Sequence, residues 1–136
     1  MPPNSPNQAN ASGSAEQMPF PTPLLDRKLS EQREQSERDR KHLLQVALTW
    51  LQQNAARFGI EQGYLFGSIV QAGRFSPQSD LDLAVDSLSQ GDPFSLGSYL
   101  SLQVNREVDV VPLDQCHFAT KIRQTGIRWT TDKLLD

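Results

Sequence analysis

Two aspartates, Asp80 and Asp82, stand two residues apart in the segment DLDLAVD, which alternates polar or small residues with apolar ones. That period is typical of a strand with one buried face, so both carboxylates are expected to project from the same face. At a separation of about 4 Å near the surface, two such charges repel by roughly 4 kcal/mol. Mg²⁺ prefers carboxylate oxygen, water and phosphate as ligands. The spacing therefore predicts a magnesium site at this strand.

A third carboxylate, Asp109, lies within the strongly β-forming run EVDVV at residues 107–111. If its strand neighbours that of the first two aspartates, three carboxylates converge. Such a set can hold two metal ions about 3.5–4 Å apart, the separation used for in-line phosphoryl displacement. We expect Asp80 and Asp82 to bridge two Mg²⁺ ions. We expect Asp109 to hold the ion that activates a hydroxyl group, or to accept the hydroxyl proton.

Gly67-Ser68 follows the apolar run Tyr64–Phe66 and predicts a tight strand-to-helix turn. Backbone N–H groups at a helix start favour an anion, and glycine lets a phosphate group approach the backbone. Serine can cap the helix and donate a hydrogen bond. Arg74 either adds positive charge at the phosphates or is a solvated loop arginine. These residues are the predicted nucleotide-binding half of the site.

The combination of motifs resembles the DNA polymerase β-like nucleotidyltransferases, in particular the minimal nucleotidyltransferase (MNT) branch. The resemblance rests on residues 66–68, 73–74, 79–85 and 108–111. It implies an α+β fold, with a small mixed sheet flanked by helices, and ATP as the donor. It also implies phosphate binding by Gly67 and Ser68, and two Mg²⁺ ions at Asp80, Asp82 and Asp109. The spacer from Ser68 to Asp80 is about one residue longer than the commonest family form, which leaves the position of Arg74 open.

Small proteins of this branch resemble the antitoxin of HEPN/MNT toxin–antitoxin pairs. The resemblance implies a protein adenylyltransferase that moves AMP from ATP to a tyrosine of a HEPN toxin, in a hetero-oligomer of type VII-like character. Two alternatives stay open: an aminoglycoside-type enzyme with a small-molecule acceptor, and a non-catalytic antitoxin that acts by binding. Three surface aspartates on an ordinary α/β domain are disfavoured, because aspartate is depleted in strands.

Several elements must position these residues. Residues 1–28 are rich in Pro, Asn, Ser and Gln and predict a disordered tail, which leaves residues 29–136 as the domain. Ser30 is the expected N-cap of a helix, whose polar start at residues 31–41 is either a solvated extension or frayed coil. Helical apolar spacing then runs from Leu43 to Phe58, and Gly59 predicts the stop.

Further helices are expected from Asp92-Pro93 to Leu102 and near residues 118–123, with a final edge strand at residues 127–129. Alternating helices and strands predict an α/β layer fold with a small sheet.

Composition limits the classes of function. The chain has 136 residues and a net charge of −3, so direct nucleic-acid binding is disfavoured. Its single cysteine, Cys116, excludes an internal disulfide and fits a reducing compartment. Neither a membrane span nor a signal peptide is apparent in the sequence. We therefore expect a soluble, cytoplasmic protein.

Overall fold

The computed structural model describes residues 22–131. The chain divides into two units, residues 1–34 and residues 35–136, and the sheet belongs to the second. Short 3-10 turns occupy Ala55–Phe58, Gly67–Val70 and Leu113–Gln115. The helices and strands, in chain order, are α1 (Pro23–Asn54), β1 (Gln62–Phe66), β2 (Leu81–Val85), α2 (Pro93–Val104), β3 (Val108–Pro112), α3 (Ala119–Thr125) and β4 (Ile127–Thr130).

Helix α1 begins earlier than expected. The side-chain oxygen of Thr22 accepts a hydrogen bond from the backbone N–H of Leu25 at 3.0 Å, and Pro23 takes the first helical position. The expected N-cap at Ser30 is therefore wrong, and residues 23–28, which were predicted to be disordered, are helical. The remainder of the predicted tail, residues 1–21, lies outside the described residues, as do residues 132–136.

The strand order is β3-β2-β1-β4, so β4 is an edge strand as predicted. Strand β2 pairs parallel with β3, whereas β1 pairs antiparallel with both β2 and β4. The sheet is therefore mixed, and with its helices it confirms the expected α+β class. The helix predicted to start at Asp92 is also present, since the Asp92 carboxylate accepts the N–H of Ser95 at 3.2 Å.

The main core lies on the sheet face that carries the apolar residues of β2. These pack with the apolar positions of α1 and α2, in a cluster that includes Leu43, Ala47, Leu51, Leu81, Leu83, Val85, Leu96 and Leu100. A smaller cluster of Ala84, Leu113, Ala119 and Ile122 forms the second group of buried residues. The predicted apolar face of residues 43–58 is thereby confirmed. Asp80 and Asp82 lie at the N-terminal end of β2, the strand that both clusters share.

Within residues 22–131, no helix combines the length and the apolar character that a membrane crossing needs. Helix α1 has 32 residues, but its first half is strongly charged. The predicted cytoplasmic location stays a prediction.

Candidate active site

Asp82 and Asp109 lie directly opposite one another on neighbouring parallel strands. Asp80 comes immediately before β2, two residues from Asp82, so the alternation of the strand brings it to the same side. The strand adjacency on which the prediction for Asp109 depended is therefore present. Asp80 and Asp109 are exposed and Asp82 is half-buried. The three predicted carboxylates thus lie near one another at the start of two parallel strands.

Asp82 is the electrostatically strained member of this group. Its burial raises the pKa of its carboxyl from the ordinary 3.8 to about 6, and the charges of Asp109 and then Asp80 add to the effect. Burial disfavours the ionised form, and like charges nearby disfavour it further. At neutral pH the ionised Asp82 therefore lies in a site that favours a compensating cation.

The carboxylates fit a hard divalent cation in donor chemistry and in charge. As the side chains stand, no three His, Cys, Asp or Glu groups among residues 22–131 are arranged to hold one ion. Asp80, Asp82 and Asp109 are thus adjacent on the strands and coupled in charge, but they do not surround a common point. Their predicted role as metal ligands rests on the donor set and on the raised pKa of Asp82.

Gly67 begins a 3-10 turn that lies directly against Asp82. The backbone of Gly67 has a φ of 80°, which favours glycine. A side-chain Cβ built on Gly67 would collide with the Oδ2 atom of Asp82. Glycine is therefore required twice, for the backbone conformation and for the close approach of the turn to the carboxylate. This contact joins the two predicted halves of the site.

The turn differs from the expected strand-to-helix junction. Residues 67–70 form a single 3-10 turn, which the backbone N–H of Gln71 closes by donating to the Ser68 carbonyl at 3.0 Å. A helix dipole behind the phosphates was expected, and that expectation is wrong because no α-helix follows the turn. Within the turn itself, the groups that can bind an anion are its backbone N–H groups and the Ser68 hydroxyl. Arg74 is exposed in the following loop, and its role at the phosphates stays a prediction.

Arg106 is a residue that the sequence analysis missed. It lies two positions before β3, and its guanidinium donates to the carbonyls of Ser76 at 3.2 Å and Ser79 at 2.6 Å. The guanidinium also lies over the ring of Phe75, 4.7 Å from its centroid. Arg106 therefore ties the loop that enters Asp80 to the start of the strand that carries Asp109. No local sequence signal distinguished it from a solvated arginine.

Glu37 and Arg40 of α1 contact the loop that runs from Gly67 to Gly73. Arg40 donates to the carbonyl of Ile69 at 3.0 Å and forms an ion pair with Glu37. Hydrogen bonding from Arg40 lowers the pKa of Glu37, and a hydrogen bond from the backbone N–H of Gly73 contributes to the same shift. The polar run at residues 31–41 was expected to be solvated or frayed. The structure has the first of these, a largely exposed helical extension, and this extension also carries the ion pair that holds the Gly67–Gly73 loop.

Comparison with known proteins identifies one family. The family model described as "Polymerase beta, Nucleotidyltransferase" matches residues 45–131, which is more than half of the chain. Neither the curated proteins nor the solved structures gave a match. The matched segment contains the Gly67-Ser68 turn and all three aspartates, and it includes the whole sheet. It leaves out the first part of α1, where Glu37 and Arg40 lie.

Proposed function

The chain belongs to the polymerase β nucleotidyltransferase family, and on that premise we propose that it transfers AMP from ATP to a hydroxyl group in a Mg²⁺-dependent reaction. One observation carries the proposal. Asp82 is coupled in charge to Asp80 and Asp109. It also lies directly against the turn at Gly67, where any side chain would collide with the Asp82 carboxylate. A carboxylate set adjoining the backbone N–H groups of a glycine turn suits a nucleoside triphosphate and its counter-ions.

Asp80, Asp82 and Asp109 would hold the Mg²⁺ ions, which when bound would supply positive charge to the phosphates and acidify the attacking hydroxyl. The backbone N–H groups of the Gly67-Ser68 turn bind the triphosphate oxygens. Asp109, exposed at the outer strand, accepts the hydroxyl proton. The hydroxyl oxygen forms a bond to the α-phosphorus, and the bond from that phosphorus to the bridging oxygen of pyrophosphate breaks.

For the acceptor, we propose a tyrosine of a HEPN toxin, with this chain acting as its antitoxin. The proposal is supported by the resemblance of residues 66–68, 79–85 and 108–111 to MNT antitoxins. Its structural support is the exposure of Asp80 and Asp109, which leaves the acceptor side of the site open to a protein surface. A protein acceptor would complete a site that the described residues build only on the donor side.

The decisive experiment supplies the purified protein with Mg²⁺ and ATP labelled at the α-phosphate. The acceptors are a HEPN protein with an Arg-x4-6-His motif and, separately, an aminoglycoside. We expect label on a HEPN tyrosine and none on the aminoglycoside. The double variant Asp80→Asn with Asp82→Asn removes the label, whereas the exposed control Asp114→Asn retains it. Label on neither acceptor from folded wild-type protein contradicts the proposal.

The same double variant tests neutralisation by binding alone. In cells that express the HEPN toxin, a catalytic antitoxin loses protection when both aspartates are replaced. Full protection by the double variant, at the protein level of the wild type, would show that chemistry is unnecessary. The site would then serve as a binding surface.

A further inference from the structure

The outer edge of β3 is a free row of backbone hydrogen-bonding groups. Strand β3 is the last in the sheet order, and no other strand within residues 22–131 pairs with its far side. The N–H of Leu81 donates to the carbonyl of Glu107 at 2.9 Å, so Glu107 and, by alternation, Asp109 direct their backbone groups toward β2. The backbone groups of Val108 and Val110 therefore face outward. Such an edge can accept an additional strand.

A groove lined by both apolar and polar residues runs beside this edge. A cavity of about 620 Å³ lies between α2 and β3, and its lining includes Phe94, Leu102, Val108, Val110 and Asp109. Phe94 is 59% exposed and Leu102 is 78% exposed, both unusual for large apolar side chains on a short helix. Exposure of this kind beside an unpaired strand edge favours a peptide-binding surface over a random surface feature.

Gly97 sets the depth of the groove. A Cβ built on Gly97 would come within 2.6 Å of the Cγ2 atom of Val110. Glycine therefore lets α2 lie close to β3, so that the flanking side chains of Phe94 and Leu102 stand above the groove. The valines at 108 and 110 point to the α2 side, and Asp109 between them points to the opposite face.

We propose that this edge binds an extended, basic segment of a partner protein as an added strand and presents its hydroxyl group to Asp109. The inference rests on the proposed function and names the surface that holds the acceptor. In an added strand, alternate side chains point to opposite faces. Apolar residues then fill the groove against α2, and the hydroxyl-bearing residue between them reaches the aspartate face.

Charge and length define the occupant. Asp109 on β3 lies on the same face as Asp82 of β2 and Asp80 just before it, so this face of the edge favours positive charge. By the same alternation, the backbone of Pro112 faces outward. Because proline has no N–H to donate, the free hydrogen-bonding edge ends at this residue. At about 3.3 Å per residue, the available edge matches roughly five residues of an extended peptide.

The transfer step balances at this edge. The tyrosine oxygen of the bound segment forms a bond to the α-phosphorus of ATP, and pyrophosphate leaves with the electrons of the broken bond. The hydroxyl proton passes to the Asp109 carboxylate and then to solvent. The products are an AMP-tyrosine phosphodiester and pyrophosphate, with no change in oxidation state.

The test uses the full 136-residue chain and the synthetic peptide acetyl-Arg-Val-Tyr-Val-Arg-amide. Binding is followed by NMR, without nucleotide, through amide exchange at Val108 and Val110. Two further peptides are N-methylated, one at residues 1, 3 and 5 and the other at residues 2 and 4. Because an added strand pairs through one edge, only one of these two should lose binding.

Protein variants test whether the peptide binds in the groove. Phe94→Asp and Leu102→Asp should weaken binding at least about tenfold, as expected for apolar anchors of an interface. The matched control is Phe118→Asp, a similarly exposed aromatic residue outside the groove. We expect slowed exchange at both valines, with labelling of the tyrosine when labelled ATP and Mg²⁺ are added.

The outcomes separate the two proposals. Peptide binding at Val108 and Val110, with no AMP transfer either to the peptide or to a HEPN protein, would support the edge and overturn the proposed function. AMP transfer to a HEPN protein that is unaffected by Phe94→Asp and Leu102→Asp would leave the function standing and overturn the edge proposal. Unchanged exchange at both valines with millimolar peptide would also overturn it, as would equal binding of both N-methylated peptides.

Discussion

Replacing Asp82 by asparagine should stabilise the protein at neutral and alkaline pH. Burial and two neighbouring carboxylates raise the pKa of Asp82 from 3.8 to about 6. The folded protein therefore binds this proton more tightly than the unfolded chain does. Ionisation of Asp82 then costs stability as pH rises from 3.8, and the full cost is present above about 6. Asparagine keeps the shape of the side chain and removes the charge.

The size of the effect follows from the pKa difference of about two. At 1.36 kcal/mol per pKa unit, the difference corresponds to about 3 kcal/mol. Asp82 is only half-buried, so solvent screening reduces this figure, and we expect about 1–2 kcal/mol. The variant should match the wild type near pH 3.5 and exceed it by this amount at pH 8.

Urea denaturation in EDTA at a series of pH values measures the difference without divalent cations. The exposed variant Asp114→Asn serves as the control for charge removal on the same domain and should show no such pH dependence. Adding Mg²⁺ should then stabilise the wild type more than the Asp82→Asn variant, because the variant has lost a ligand. Equal stability of the variant and the wild type at pH 8 in EDTA would refute the reasoning.

Three further substitutions, two of them with a matched control, test the loops around the site. Gly67→Ala should lower the free energy of unfolding, measured by urea denaturation, by about 1–3 kcal/mol. It should also abolish AMP transfer, because it combines backbone strain with a collision at Asp82. Gly73→Ala is the control, because it has similar backbone strain, at a φ of 85°, but its added Cβ meets open space. If it lost as much activity as Gly67→Ala, the collision with Asp82 would not explain the loss. Arg106→Lys keeps the charge but loses the planar guanidinium and its stacking on the ring of Phe75. It should lower the free energy of unfolding by about 1–2 kcal/mol and kcat by at least tenfold. An unchanged kcat would show that the contacts of Arg106 do not position the aspartates. Arg40→Gln should lower the free energy of unfolding by about 1 kcal/mol and raise the KM for ATP, because the turn loses its hydrogen bond at the Ile69 carbonyl. The exposed variant Arg38→Gln is the control. Equal KM values in the two variants would argue that Arg40 does not anchor the turn.

Local patterns predicted several elements because the forces that form them act within a few residues. The alternation at residues 80–86 indicated β2 and the face of Asp80 and Asp82, and the Asp92-Pro93 pair indicated the start of α2. Edge strand β4 was also predicted. The start of α1 was missed, because the Thr22-Pro23 cap is a weak signal beside a Pro-rich segment.

By itself, the sequence determined which residues are the candidates for the chemistry. The side-chain period of a strand put two aspartates on one face, and a glycine followed by serine identified the turn. The tertiary structure alone decided which groups meet. Only strand pairing places Asp109 opposite Asp82, and only burial raises the pKa of that carboxyl to about 6. Arg106 and Arg40 reach carbonyls about thirty residues away, and among residues 22–131 the sheet order ends at β3, which leaves its outer edge unpaired there. These contacts join distant parts of the chain, so no local pattern in the sequence contains them.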